Sequence, residues 1–154
     1  MLVVLMALGA ALGCGGDESS GEPTDASVSA AQEAGPPPAA THFSEIYAAL
    51  FPSTTNARCN FCHSMPASEA SNGKLSVGMD AQTAHAALVG KSSASAKCMG
   101  RPLVVPGHPE TSLLLQKLSA TPPCGSRMPV GGAALSDAQL EQIRSWIAAG
   151  APND

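Results

Sequence analysis

The stretch that decides the reading is Cys59-Asn60-Phe61-Cys62-His63. Two cysteines separated by two residues, with histidine directly after the second, match a c-type haem attachment site. Covalent attachment needs two thioether bonds to one porphyrin edge, and a turn of two intervening residues sets that reach. His63 then lies under the iron and supplies the proximal nitrogen. Three other chemistries use the same letters. A zinc ribbon needs a second ligand pair, yet Cys98 and Cys124 are 26 positions apart rather than in a second C-x2-C knuckle. A thioredoxin-like redox pair needs βαβ patterning around it, which this sequence lacks. A plain disulfide between Cys59 and Cys62 leaves His63 without a role.

Downstream, Gly125-Ser126-Arg127-Met128-Pro129-Val130-Gly131-Gly132 offers a sixth ligand. A thioether is soft and neutral, favours ferrous iron and raises the potential. Pro129 removes one N–H donor and restricts the backbone beside the sulfur. Met128 follows His63 by 65 residues, enough chain to pass round a haem edge. Met65, Met79, Met99, His85 and His108 are the other side chains with suitable chemistry, while His42, His85 and His108 read as surface or loop histidines.

The other cysteines follow from this assignment. The run Leu2–Leu12 is apolar throughout and far shorter than the ~20 residues a spanning helix needs, so it reads as a signal-peptide core. It ends in Ala11-Leu12-Gly13-Cys14, which resembles the bacterial lipobox, with Ala11 where Leu is commoner. That resemblance implies cleavage after residue 13 and lipidation of Cys14. With Gly15 rather than Asp next, it implies an outer rather than an inner membrane. An ordinary signal peptide with an incidental cysteine is the alternative. With Cys14 on lipid and Cys59 and Cys62 on haem, Cys98 and Cys124 remain as a disulfide pair in an oxidising compartment. Such a bridge stabilises by roughly 3–4 kcal/mol in the chain-entropy model. It would also anchor the chain four residues before Met128. A held ligand keeps its geometry in both oxidation states.

Charge and composition divide the chain of 154 residues. Residues 15–41 hold Asp17, Glu18, Glu22, Asp25 and Glu33 and no Lys or Arg. With their Gly, Ser, Ala and Pro they cannot bury a core, and read as a disordered tether with an end-to-end distance of roughly 30 Å. The remaining segment, 42–154, holds seven acids and eight bases and is nearly neutral. It has no basic stripe for nucleic acid. Lys91, Lys97 and Arg101 read as a solvated loop, or as a face for an acidic redox partner. Aromatics are only 3%, so a haem would supply apolar bulk that the side chains do not.

Segment 42–154 reads as all-α with long loops. Phe43, Ile46, Tyr47 and Leu50 recur at helical spacing before Pro52. Asp80 caps a helix over 81–88 that stops at Gly90. Pro109 opens the first turn of a helix carrying Leu113, Leu114, Leu115 and Leu118. Ser136 and Gln139 form a capping box for a last helix bearing Leu140, Ile143, Trp146 and Ile147 and ended by Gly150. Leu103-Val104-Val105 is too short to support a sheet.

At these residues a resemblance emerges. The CNFCH site, Val105-Pro106-Gly107-His108-Pro109-Glu110-Thr111-Ser112-Leu113-Leu114, the Arg127-Met128-Pro129 loop, and Leu135-Ser136-Asp137 with Ile143 to Pro152 are similar to the small single-haem cytochrome c domains of exported bacterial proteins, particularly the planctomycete-type group. The resemblance covers 42–154. It implies a helical cytochrome c fold with first and last helices packed near the haem edge. It further implies Cys59 and Cys62 on the haem, His63 and Met128 on the iron, and electron transfer to partner proteins, while the N-terminal segment implies a periplasmic or cell-surface membrane. No catalytic constellation is visible; a haem enzyme or gas sensor with an open distal site, and a structural lipoprotein with an idle motif, are the alternatives.

Overall fold

Residues 41–64 and 75–154 are described by a computed structural model. The expectations for residues 1–40, including the signal segment, Cys14 and most of the tether, and the candidate Met65, lie outside the described residues. Within them, five α-helices and one 3-10 turn account for the regular structure: α1 (Phe43–Leu50), α2 (Cys59–His63), α3 (Ala81–Leu88), the turn Pro109–Thr111, α4 (Leu113–Leu118) and α5 (Asp137–Ala148). No strand forms among the described residues; isolated bridges join Val89 to Val104 and Ser92 to Pro102. The fold is all-α. Among the described residues, no helix is long and apolar enough to cross a membrane.

Local chemistry explains the helix ends. Asp80 Oδ1 accepts from Thr83 N–H at 2.8 Å, satisfying one orphan donor of α3, and that amide, with the Thr83 hydroxyl, holds the carboxyl below its ordinary pKa. Ser136 and Gln139 make the expected reciprocal box at the start of α5. Gly150, at φ 98, takes the left-handed conformation that closes it.

The helix expected to start at Pro109 is broken. Pro109–Thr111 is a 3-10 turn, Ser112 is extended, and α4 begins at Leu113. The cause is Ser112, wholly buried, whose Oγ accepts from Val105 N–H at 2.9 Å and donates to the His108 carbonyl at 2.9 Å. A serine that bonds the preceding loop competes with helix continuation.

The helices meet around one apolar core that includes Phe43, Ile46, Leu50, Leu88, Val104, Ile143, Trp146 and Ile147. α1 lies against α3 and α5, and α4 against α5. Phe43 and Trp146 join the first and last helices, ring centroids 4.8 Å apart. Residues 151–154 wrap back over this joint. Trp146 Nε1 donates to the Pro152 carbonyl, and Phe43 N–H donates to the Asp154 carboxylate.

Candidate functional site

The motif does more than turn: it forms a short helix of its own. Arg58, at φ 47, sits in the left-handed region immediately before α2 and redirects the chain so that Cys59–His63 coil. Arg58 then lies over the ring of Phe61, its guanidinium carbon 5.4 Å from the centroid. Two contacts fix α2 against α1. Asn60 N–H donates to the Phe51 carbonyl at 2.8 Å, and Asn60 Nδ2 donates to the Tyr47 hydroxyl at 3.0 Å. Asn60 is buried while Phe61 is 66% exposed, so the two intervening residues face opposite ways: one inward as anchor, one outward.

His63 is oriented from the segment that follows. Its carbonyl accepts from Val77 N–H at 2.8 Å, and its Nδ1 donates to the Leu75 carbonyl at 3.3 Å. A carbonyl can only accept, so the proton of the neutral ring sits on Nδ1 and the lone pair on Nε2. That is how a metal-binding histidine is commonly set, its second nitrogen fixing tautomer and ring orientation. Burial holds the imidazole below its ordinary pKa, opposed by the Leu75 bond. The net lowering suits a neutral ligand.

Cys59 and Cys62 both stand outside the disulfide as half-buried thiols, and Cys59 packs against the core. Burial pushes the Cys59 thiol up to about 11, opposed by its backbone hydrogen bond and reinforced by Cys62. A redox-active C-x2-C pair works through a depressed thiol pKa, so Cys59 is tuned in the opposite direction. Among the described residues no three His, Cys, Asp or Glu side chains converge on one metal position. A zinc knuckle would require such a cluster. A c-type haem would not, because the porphyrin brings four nitrogens and asks the chain for two thioethers and one or two axial ligands. The donor set on α2 fits that group.

Cys98 and Cys124 are joined, as the cysteine count predicts. Met128 follows in its loop, half-buried and packed, like Cys59, at the margin of the core. Its amide donates to the Lys117 carbonyl at 2.8 Å. The structure therefore gathers Cys59, Cys62 and His63 on one helix, and gives Met128 and Cys59 the same core to pack on.

Of the other ligand candidates, the structure describes Met79, Met99, His85 and His108, and the Met79 sulfur accepts from Asn60 Nδ2 at 4.0 Å. Met79 and Met99 are each 66% exposed. His108 pairs with Glu110 at 3.3 Å in solvent, and His42 with Asp154 at 2.8 Å. His85 departs from the surface-or-loop expectation. It lies on α3, half-buried, edge-on to Phe43 and Trp146, with Nε2 donating to the Ala151 carbonyl at 2.8 Å. It is a half-buried histidine packed against two core rings, with a hydrogen bond. Lys91 and Lys97 are exposed as expected, while Arg101 donates to Gln116 Oε1 at 3.1 Å.

Two contacts to the candidate residues were not anticipated from sequence, Leu75 on His63 and Lys117 on the Met128 loop. The Leu75 contact is a backbone carbonyl, which leaves no residue-type signal. Comparison of the chain with protein-family models, with curated proteins and with solved structures finds no match.

Proposed function

We propose that residues 42–154 form a small single-haem c-type cytochrome domain, an electron carrier with no catalysis of its own. The observation that carries this reading is the state of His63: directly after Cys62, with Nδ1 committed to Leu75 and Nε2 left for a metal. Cys59 and Cys62 would hold the porphyrin, and His63 and Met128 would bind its iron. When bound, the haem would supply one-electron chemistry, its iron alternating between ferric and ferrous. The chain's own part is to set geometry. α2 is held by Asn60 on Tyr47 and Phe51, His63 by Leu75, and the Met128 loop by the disulfide and α4. Ligands so held change little between oxidation states, which lowers the reorganisation an electron transfer demands. The partner would be another redox protein. The apolar run Leu2–Leu12 and the Cys14 that follows support export and an N-terminal lipid anchor on the periplasmic side of a membrane, the outer one by the Gly15 criterion.

The test is expression with the cytochrome c maturation system, followed by mass and visible spectra of the mature chain. One covalent haem is expected, with a low-spin ferric spectrum carrying the weak far-red band of Met–Fe(III) ligation, lost in Met128→Ala. A colourless chain at its bare peptide mass removes the proposal. A high-spin ferric form that shifts with cyanide replaces the carrier by a haem protein with an open distal site. For the anchor, Cys14→Ser is expected to release soluble protein with the same spectrum; a variant still firmly membrane-bound rejects it.

A further inference from the structure

α4 ends after only six residues, and its last carbonyls need donors from outside the helix. Gln116 finds one in Ser119, whose hydroxyl donates to it at 2.7 Å. Lys117 finds one in the loop that carries Met128: the Met128 N–H donates to the Lys117 carbonyl at 2.8 Å. The Lys117 side chain returns over the same loop. Its ammonium donates to the Cys124 carbonyl at 2.7 Å and also to the Ser126 carbonyl. One residue thus grips the loop at positions 124, 126 and 128, and the first of these is also covalently tied to Cys98.

The chemistry of the loop makes this grip matter. Segment 125–132 contains Gly125, Gly131 and Gly132 and no helix or strand. Gly125 and Gly131 take left-handed φ values of 62° and 68°. The backbone carbonyls of Cys124, just before this segment, and of Ser126 within it need a donor, and an ammonium offers three. The approach has a cost: burial lowers the Lys117 pKa, and the nearby Lys97 lowers it further. A lysine drawn in beside another cation, with carbonyl oxygens as its acceptors, is held there by those oxygens rather than by a carboxylate.

We infer that Lys117 is the positioning residue for Met128, holding the thioether loop in its iron-ligating conformation through bonds to the carbonyls of Cys124 and Ser126 and to the amide of Met128. The inference rests on the cytochrome reading above and extends it to a residue outside the ligand set. Lys117 does not touch the reacting atoms; it acts through Met128.

The test uses the full-length haem-loaded protein with Lys117→Met, which keeps the apolar stem and removes the ammonium. Lys117→Gln, too short to span both carbonyls, serves should the first variant fail to accumulate. The expected results are loss of at least half of the far-red Met–Fe(III) band, a lower midpoint potential, and amide exchange at Met128 faster by about tenfold or more. Faster exchange with band and potential both unchanged makes Lys117 a loop tie alone and overturns the inference. So does wild-type behaviour in all three. Failure of the cytochrome reading looks different: wild-type protein then lacks covalent haem, or Met128→Ala leaves the band intact.

Discussion

The Phe43 ring lies 4.8 Å, centroid to centroid, from that of Trp146, tilted by 32°. Phe43 opens α1 and Trp146 lies in the last turn of α5, and both are essentially excluded from solvent. The chain has one tryptophan, one tyrosine and three phenylalanines, and the joint buries two of these five rings. His85 closes its side edge-on to both rings, and residues 151–154 close its end.

Trp146→Ala is expected to lose about 3–5 kcal/mol, the range for deleting a fully buried large aromatic. Trp146→Phe keeps the ring packing but not the indole donor to Pro152, and should cost less than half as much. Urea unfolding with an unchanged m-value measures both. A loss below about 1 kcal/mol for the alanine variant would show that the core does not depend on the α1–α5 joint.

Asp154 links acidity to this same joint. Its carboxylate accepts from Phe43 N–H at 2.7 Å and is bonded to His42, and these bonds hold its pKa below the ordinary carboxylate value. A carboxyl whose folded pKa is lowered contributes stability fully above its unfolded value of about 4, and loses it as pH falls through the folded value. Asp80 acts in the same direction through Thr83. Asp154→Asn should therefore be less stable than wild type at neutral pH, and the two should converge in acid. Parallel stability curves across that range would remove Asp154 from the acid response.

Much of this arrangement is legible in the sequence because it is local. The spacing of Phe43, Ile46 and Leu50 marks α1, Asp80 marks the start of α3, and Ser136 with Gln139 marks α5. Each signal lies within one or two turns of the element it sets. The break at Ser112 is less legible, because leucines at 113, 114, 115 and 118 continue a helical pattern while the serine bonds backward to Val105 and His108. His85 and Lys117 were illegible for a related reason. The acceptor of His85 is 66 residues away at Ala151, and a histidine among alanines carries no trace of it. Lys117 sits in the last turn of α4, where a cation is expected for the helix dipole alone, so its side chain gave no separate signal for the carbonyls it binds. The chemistry proposed for the motif at 59–63 rests on residue type and spacing. The proposed second ligand, Met128, lies on a loop that returns 65 residues later, which spacing alone does not place.

The Cys98–Cys124 bridge closes a loop between the segment before Arg101 and the Met128 loop. Removing it as Cys98→Ala with Cys124→Ala is expected to lower stability by about 3 kcal/mol, the chain-entropy contribution for a loop of this size. Lys117 keeps its bond to the Cys124 backbone carbonyl in that variant, since alanine retains the acceptor. Thermal unfolding in the presence and absence of reductant separates the contributions. Wild type should fall to the level of the double variant on reduction, and the variant should not respond. A reductant effect on the variant would place the sensitivity elsewhere.

Cys59 gives the sharpest separation from a redox-active cysteine pair. With its thiol raised to about 11 by burial, about one molecule in a thousand carries the thiolate at pH 8, against roughly a quarter for an ordinary cysteine. In chain made without the haem maturation system, iodoacetamide should modify Cys59 about a hundredfold more slowly in the folded protein than in urea. Peptide mapping of the alkylated residue as a function of time gives the rate. A nucleophilic C-x2-C thiol would behave oppositely, reacting faster folded than unfolded because its environment stabilises the anion. If Cys59 reacts as fast folded as unfolded, the burial that raises it is absent, and so is the core contact that sets one wall of α2.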